Sequence, residues 1–166
     1  MTPAGWNVLL LLLFALQHSG MTRMRVRRRT YALASYAAVG LGWALWRPMP
    51  DLLWRTPGWL WPLWVTCFVL LVWAGASLGA GELLGWREPG PPEFREPFLY
   101  RYSRHPIYVA VLGILWLRPM MTEGGLLLAA TLTVYIFVGM YFEERKLERE
   151  LGPVYREYQR RVRPLL

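Results

Sequence analysis

Five stretches of this 166-residue chain run without a single Asp, Glu, Lys or Arg: 1–22, 30–46, 56–81, 105–117 and 124–142. A helix crossing the hydrocarbon core of a bilayer needs about 20 apolar residues, within a range near 17–25. The first, third and fifth stretches meet that length outright. The second is at the lower limit and holds Gly40 and Gly42, which membrane helices accept more readily than soluble ones. The fourth reaches the length only with its flanks, toward Arg118–Thr122 or Tyr102–Pro106. The predicted architecture is all-α: an integral membrane protein with five transmembrane helices over about 3–21, 30–46, 59–80, 105–121 and 124–142. One membrane domain then fills residues 1–166, and 143–166 form a cytoplasmic helical tail.

Charge placement supports the same count. Of the 19 basic residues, all but Arg47, Arg55 and Arg118 fall in the segment after the first span, the segment before the fourth, or the tail. Five spans put those three segments on one side. The positive-inside rule makes that side cytoplasmic, leaving the N-terminus outside. The first apolar run has its arginines after it rather than before it, so it is expected to remain as a span and not be cleaved as a signal peptide. With 55% hydrophobic and only 18% charged residues, the +8 net charge does not describe a nucleic-acid binder or an ordinary soluble enzyme. Trp43, Trp46, Trp54, Trp59, Trp61 and Trp64 gather near the outer ends of the second and third spans, as an interfacial aromatic belt does.

The chemistry must come from few residues. Cys67 is the single cysteine and sits mid-span; His18 and His105 are the two histidines and lie far apart, so no metal site is expected. No phosphate-loop motif and no internal repeat occur. Gln17-His18-Ser19 closes the first span just before the arginine cluster. There it either marks the interface and bonds a neighbouring helix, or places His18 in a substrate pocket. Phe98 to Tyr108 contains Arg104-His105-Pro106. Pro106 suits the first turn of a helix, whose free N–H groups favour an anion, and Arg104 adds a bidentate anion partner. Glu143-Glu144 stands at the cytoplasmic exit of the fifth span, where the helix dipole favours cations instead. Beyond it Leu147, Leu151, Tyr155, Tyr158 and Val162 mark one helical face, broken at Gly152-Pro153. Under five spans the fourth and fifth form an antiparallel hairpin. Its mouth gathers the Arg104–Tyr108 segment, the Glu pair and the end of the third span at Gly79-Ala80-Gly81. These groups complement a ligand carrying a carboxylate, a sulfonium and ribose hydroxyls.

RHPxY, a Glu-Glu pair some 35 residues later and the GxxYxxY of Gly152 to Tyr158 together resemble the integral-membrane methyltransferases. That superfamily includes isoprenylcysteine carboxyl methyltransferase, the phospholipid N-methyltransferases and methanethiol S-methyltransferase. The resemblance covers about 79–164. Leu16 to Met21 and Glu82 to Arg87 look most like the methanethiol S-methyltransferase and NnrU branch. The resemblance implies S-adenosylmethionine as cofactor, held by Arg104, His105, Tyr108, Glu143 and Glu144, with Tyr155 and Tyr158 closing the pocket. Gly79 and Gly81 match the GxG of phospholipid methyltransferases, a motif that also serves plain helix packing. It implies a small or membrane-dissolved thiol as methyl acceptor, with His18 and Arg104 as the groups that would favour a thiolate. A prenylcysteine-like carboxylate, a lipid amine, or a non-enzymatic NnrU-like role remain the alternatives. The expected setting is a bacterial inner membrane with the site facing the cytoplasm; the partners are the substrate and the bilayer, not nucleic acid.

Reporter fusions should therefore place 23–29, 85–104 and the tail in the cytoplasm. A periplasmic tail would overturn the five-span count.

Overall fold

The structure, a computed structural model, describes residues 1–24, 26–84, 86 and 94–165, with only the backbone of 80, 82 and 83. Arg25 and Arg87 of the charge pattern, and Gly85 and Arg87 of the 82–87 motif, lie outside the described residues. The chain is mostly helical: α1 Pro3–Arg23, α2 Arg28–Ala44, α3 Trp61–Leu83, α4 Pro106–Trp116, α5 Glu123–Leu151 and α6 Pro153–Arg161. Two short strands, β1 Leu52–Arg55 and β2 Met120–Thr122, interrupt the all-α expectation.

Helix ends follow local chemistry. Thr2 caps α1 by accepting the Gly5 N–H at 3.2 Å, with Pro3 in the first turn. Thr122 caps α5 the same way, through the Gly125 N–H at 3.1 Å. α5 stops at Leu151 because Gly152 adopts φ 60°, ψ −129°, and Pro153 then starts α6. α3 is broken at Gly79, whose φ of 116° and ψ of 91° favour glycine strongly.

By length and composition three helical segments, Pro3–Arg23, Gly58–Gly79 and Glu123–Leu151, are apolar enough to cross a membrane. α2 and α4 fall short of that measure. The fourth expected span is the clearest difference: α4 holds 11 residues, a rise of about 16 Å, or half a bilayer core. Pro119 explains it, since the residue before a proline is steered out of helical geometry. The chain leaves the helix at Leu117 and enters β2 at Met120. Its backbone groups are met there, with Thr56 N–H donating to Pro119 O at 3.1 Å and Thr56 Oγ1 to Arg118 O at 2.8 Å.

Pairing at the helix ends sets the alternation. β1 and β2 are antiparallel, in a register joining Leu52 to Thr122 and Arg55 to Met120, so the α2–α3 and α4–α5 connections share one end. Asn7, fully buried in α1, locks to the same end by exchanging hydrogen bonds with the Arg47 backbone at 2.8 and 2.9 Å. At the opposite end Arg23 lies over the Phe142 ring at 5.5 Å. α3 and α4 pack tightly enough that a Cβ on Gly113 would overlap the Cys67 sulfur. Trp64 reinforces the contact by donating to Ile114 O at 3.0 Å.

Gly113→Ala should therefore destabilise the protein by about 1–3 kcal/mol through overpacking. Gly139→Ala, which meets nothing within 4 Å, should be neutral or stabilising by about 0.5–1 kcal/mol. Thermal unfolding of both in detergent checks the contrast; equal effects would remove the α3–α4 contact from the stability of the fold.

Candidate functional site

Where α4 begins and α5 ends, the Glu144 carboxylate collects hydrogen bonds from four side chains. Arg104 donates twice, Nε to Oε1 at 2.9 Å and Nη2 to Oε2 at 2.8 Å. His105 Nε2 donates to Oε1 at 2.6 Å, Tyr155 Oη to Oε1 at 2.9 Å, and Gln159 Nε2 to Oε2 at 2.8 Å. The Arg104 and Glu144 side chains are 10% and 15% exposed. A carboxylate so far from water is tolerated because its lone pairs are met by charge-assisted donors.

The remaining Arg104 donors face the tail, with Nη1 reaching the carbonyls of Gln159 and Val162. The backbone follows: Arg104 N–H donates to Arg163 O at 2.9 Å and His105 N–H to Pro164 O at 3.2 Å. The guanidinium and the His105 N–H, the anion-binding groups expected from the sequence, thus hold the C-terminal segment and Glu144. Burial of Tyr155 and then its bond to Glu144 push that phenol well above its ordinary range. Burial likewise pushes Tyr158 up to about 12. Both remain protonated donors at neutral pH. Tyr158 donates to Tyr100 O and, with Tyr155 and Val162, forms a small core packed on Phe94, Leu147 and Leu151. That core is the face read from the spacing of the tail.

Glu143, one residue earlier, is different. Its side chain is 45% exposed. It accepts a 2.6 Å hydrogen bond from Tyr108 Oη and lies 3.7 Å from His105 Nδ1. The His105 and Tyr108 rings stack at 5.2 Å with 16° between their planes, so an open carboxylate borders an aromatic pair. That combination suits a cationic, hydroxyl-rich group: the carboxylate accepts from hydroxyls and the ring faces attract a cation. The residues present fit S-adenosylmethionine in this respect.

His18 stands in a second cluster, inside the helix bundle. Its ring meets Tyr31 Oη at Nε2, 2.7 Å, and Ser35 Oγ at Nδ1, 3.2 Å. Phe14 stacks on it at 5.3 Å. Ser19 Oγ reaches Tyr135 Oη at 3.0 Å. No hydrogen bond joins His18 to the Glu144 cluster among the described residues. The Gly79–Gly81 segment is placed at the α3 kink, and no hydrogen bond ties it to Glu144 among the described residues.

Gln159, Tyr31, Ser35 and Tyr135 were not singled out by the sequence reading. Gln159 lies one turn beyond Tyr155, so the Tyr155–Tyr158 face was a usable signal for it. Tyr31, Ser35 and Tyr135 were legible only as isolated polar groups in apolar runs.

Comparison with known proteins gives consistent relatives. The chain is 36% identical over 189 residues to methanethiol S-methyltransferase 1 of Bradyrhizobium diazoefficiens, across 96% of this chain and 65% of that protein. It is 36% identical over 186 residues to the methanethiol S-methyltransferase of Mycobacterium tuberculosis, across 96% of this chain and 76% of that protein. Human nurim is 30% identical over 185 residues, across 89% of this chain and 69% of its own length. No family model matches the chain, and no solved structure matches it.

The two adjacent carboxylates should separate on substitution. Glu144→Ala leaves Arg104 buried without its partner and should destabilise by about 3–5 kcal/mol. Glu143→Gln should change stability by less than about 1 kcal/mol, as half-exposed pairs do. Equal losses in melting temperature would contradict the division between them.

Proposed function

The chain belongs to the methanethiol S-methyltransferase family of membrane methyltransferases, and from that we propose that it methylates a small or membrane-dissolved thiol using S-adenosylmethionine. The observation that carries this reading is the open Glu143 carboxylate beside the His105–Tyr108 stack, next to a Glu144 that is fully engaged. When bound, the cofactor supplies an electrophilic methyl group on a sulfonium. Glu143 and Tyr108 hold it, His105 orients both carboxylates, and Arg104 with Glu144 fixes the floor. Tyr155 and Tyr158 close that floor from α6. Gly79 and Gly81 lend the pocket a close-approach wall at the α3 kink.

The acceptor lies between Tyr108 and the His18 cluster. His18 takes the thiol proton at Nε2, relayed by the Tyr31 hydroxyl, while Arg104, expected from the sequence to favour the thiolate, is engaged by Glu144 and the tail carbonyls. Alignment of donor and nucleophile away from water supplies most of the acceleration. The same reading takes α2 and α4 as two further spans, five in all, in a bacterial inner membrane with the Glu143 face cytoplasmic.

Calorimetry with S-adenosylhomocysteine on the detergent-purified chain tests cofactor binding, and a methyl-donor assay compares methanethiol, a prenylcysteine analogue and phosphatidylethanolamine. Methanethiol should be the preferred acceptor. Glu143→Gln should weaken S-adenosylhomocysteine about ten-fold or more, about 1.4 kcal/mol. His18→Asn should lower thiol turnover by about 10² or more and leave that affinity unchanged. Absence of S-adenosylhomocysteine binding would defeat the enzymatic reading, and normal turnover in His18→Asn would remove His18 from the chemistry.

A further inference from the structure

A cavity opens at the other end of the bundle, against β2 and the start of α5. Its volume is about 550 Å³, in the range of ordinary ligand sites. Leu10, Leu11, Phe14, Val39, Leu128 and Leu132 line its depth. Trp43, Trp46 and Arg118 stand at its rim. Phe14 closes its inner end, the same ring that stacks on His18.

Arg118 is the informative residue. It is half-buried, and among the described residues its guanidinium has no carboxylate or carbonyl partner. The guanidinium packs against the start of α5: a Cβ on Gly125 would come within 2.6 Å of Nη1 and displace it. Asp51 and Glu123 share this end of the bundle, yet neither pairs with it among the described residues. A cation held unpaired at the mouth of an apolar cavity needs an anion from elsewhere. The tryptophan rim places that mouth at the depth of lipid headgroups. An apolar chain below and an anionic head above is the chemistry of one kind of molecule.

We propose that this cavity binds an anionic phospholipid from the leaflet remote from Glu144. One acyl chain fills the space down to Phe14, and the phosphate is held by Arg118 in a charge-assisted, bidentate contact. A zwitterionic lipid offers the same phosphate beside its own ammonium and gains less from the guanidinium.

The test uses the full chain, delipidated in detergent and titrated with phosphatidylglycerol, phosphatidylethanolamine or oleate, with retention read by native mass spectrometry. Phosphatidylglycerol should be held about ten-fold more tightly than phosphatidylethanolamine. Arg118→Gln should abolish that preference, and Arg118→Lys should keep most of it. Gly42→Leu points into the cavity with nothing within 4 Å of its Cβ, and should lower retention of both phospholipids. Monodisperse elution and an unchanged melting temperature establish that each variant is folded. Equal retention of the two phospholipids by the unsubstituted chain, or an undiminished preference in Arg118→Gln, overturns the proposal. So does tighter retention of oleate, which would assign the cavity to a free fatty acid.

Discussion

One carboxylate, Glu144, ties together the start of α4, the end of α5, all of α6 and the C-terminal segment. Its donors come from Arg104 and His105 on one side and from Tyr155 and Gln159 on the other. Arg104 then extends the tie to the carbonyls of Gln159 and Val162. Burying a carboxylate is unfavourable unless its lone pairs are all met, and burying a guanidinium likewise. Each group here makes the other tolerable. The consequence is a tail that docks through polar contacts and a three-residue aromatic-aliphatic core, without a large apolar interface of its own.

That arrangement leaves Glu143 available. Successive residues on a helix point about 100° apart, from 3.6 residues per turn. With Glu144 turned to Arg104 and α6, Glu143 is turned to Tyr108 and to open space. A rigid carboxylate and an accessible one therefore stand side by side, the first fixing the ring of His105 that borders the second. Preorganisation of this kind is what methyl transfer requires of a protein, because displacement at a sulfonium depends on alignment.

Much of this was legible in the sequence, for reasons that differ by residue. Apolar runs located α1, α3 and α5 because length and absence of charge are sufficient conditions for such helices. The tail's face was legible because its spacing of three and four survives the break at Gly152. The Glu pair and Arg104 stood out as charges at a membrane exit. What escaped was carried by the backbone or by context. The carbonyls of Arg163 and Pro164 that receive Arg104 and His105 have no side-chain signature. Asn7 binds a main chain 40 residues away. The early end of α4 was written in Arg118-Pro119, but an apolar run invites reading through it. β1 and β2 are too short for alternation to betray them, four and three residues with Met121 alone fully buried.

The length of α5 relates the two ends of the molecule. From Glu123 to Glu144 the helix rises about 32 Å, close to the thickness of one hydrocarbon core. The strand pair and the Glu144 cluster thus stand about one such thickness apart along α5. Tyr135 lies about 13 Å inside the Glu144 level by the same rise. Tyr108 is one turn inward of His105. On the proposed reading, the charged cofactor enters where water is present and the apolar thiol arrives through lipid. They would meet between Tyr108, stacked on His105 and bonded to Glu143, and the tyrosines beside His18. On that reading the hydrogen-bonded end of the site would keep the donor at the surface, and the buried end would keep water from the nucleophile.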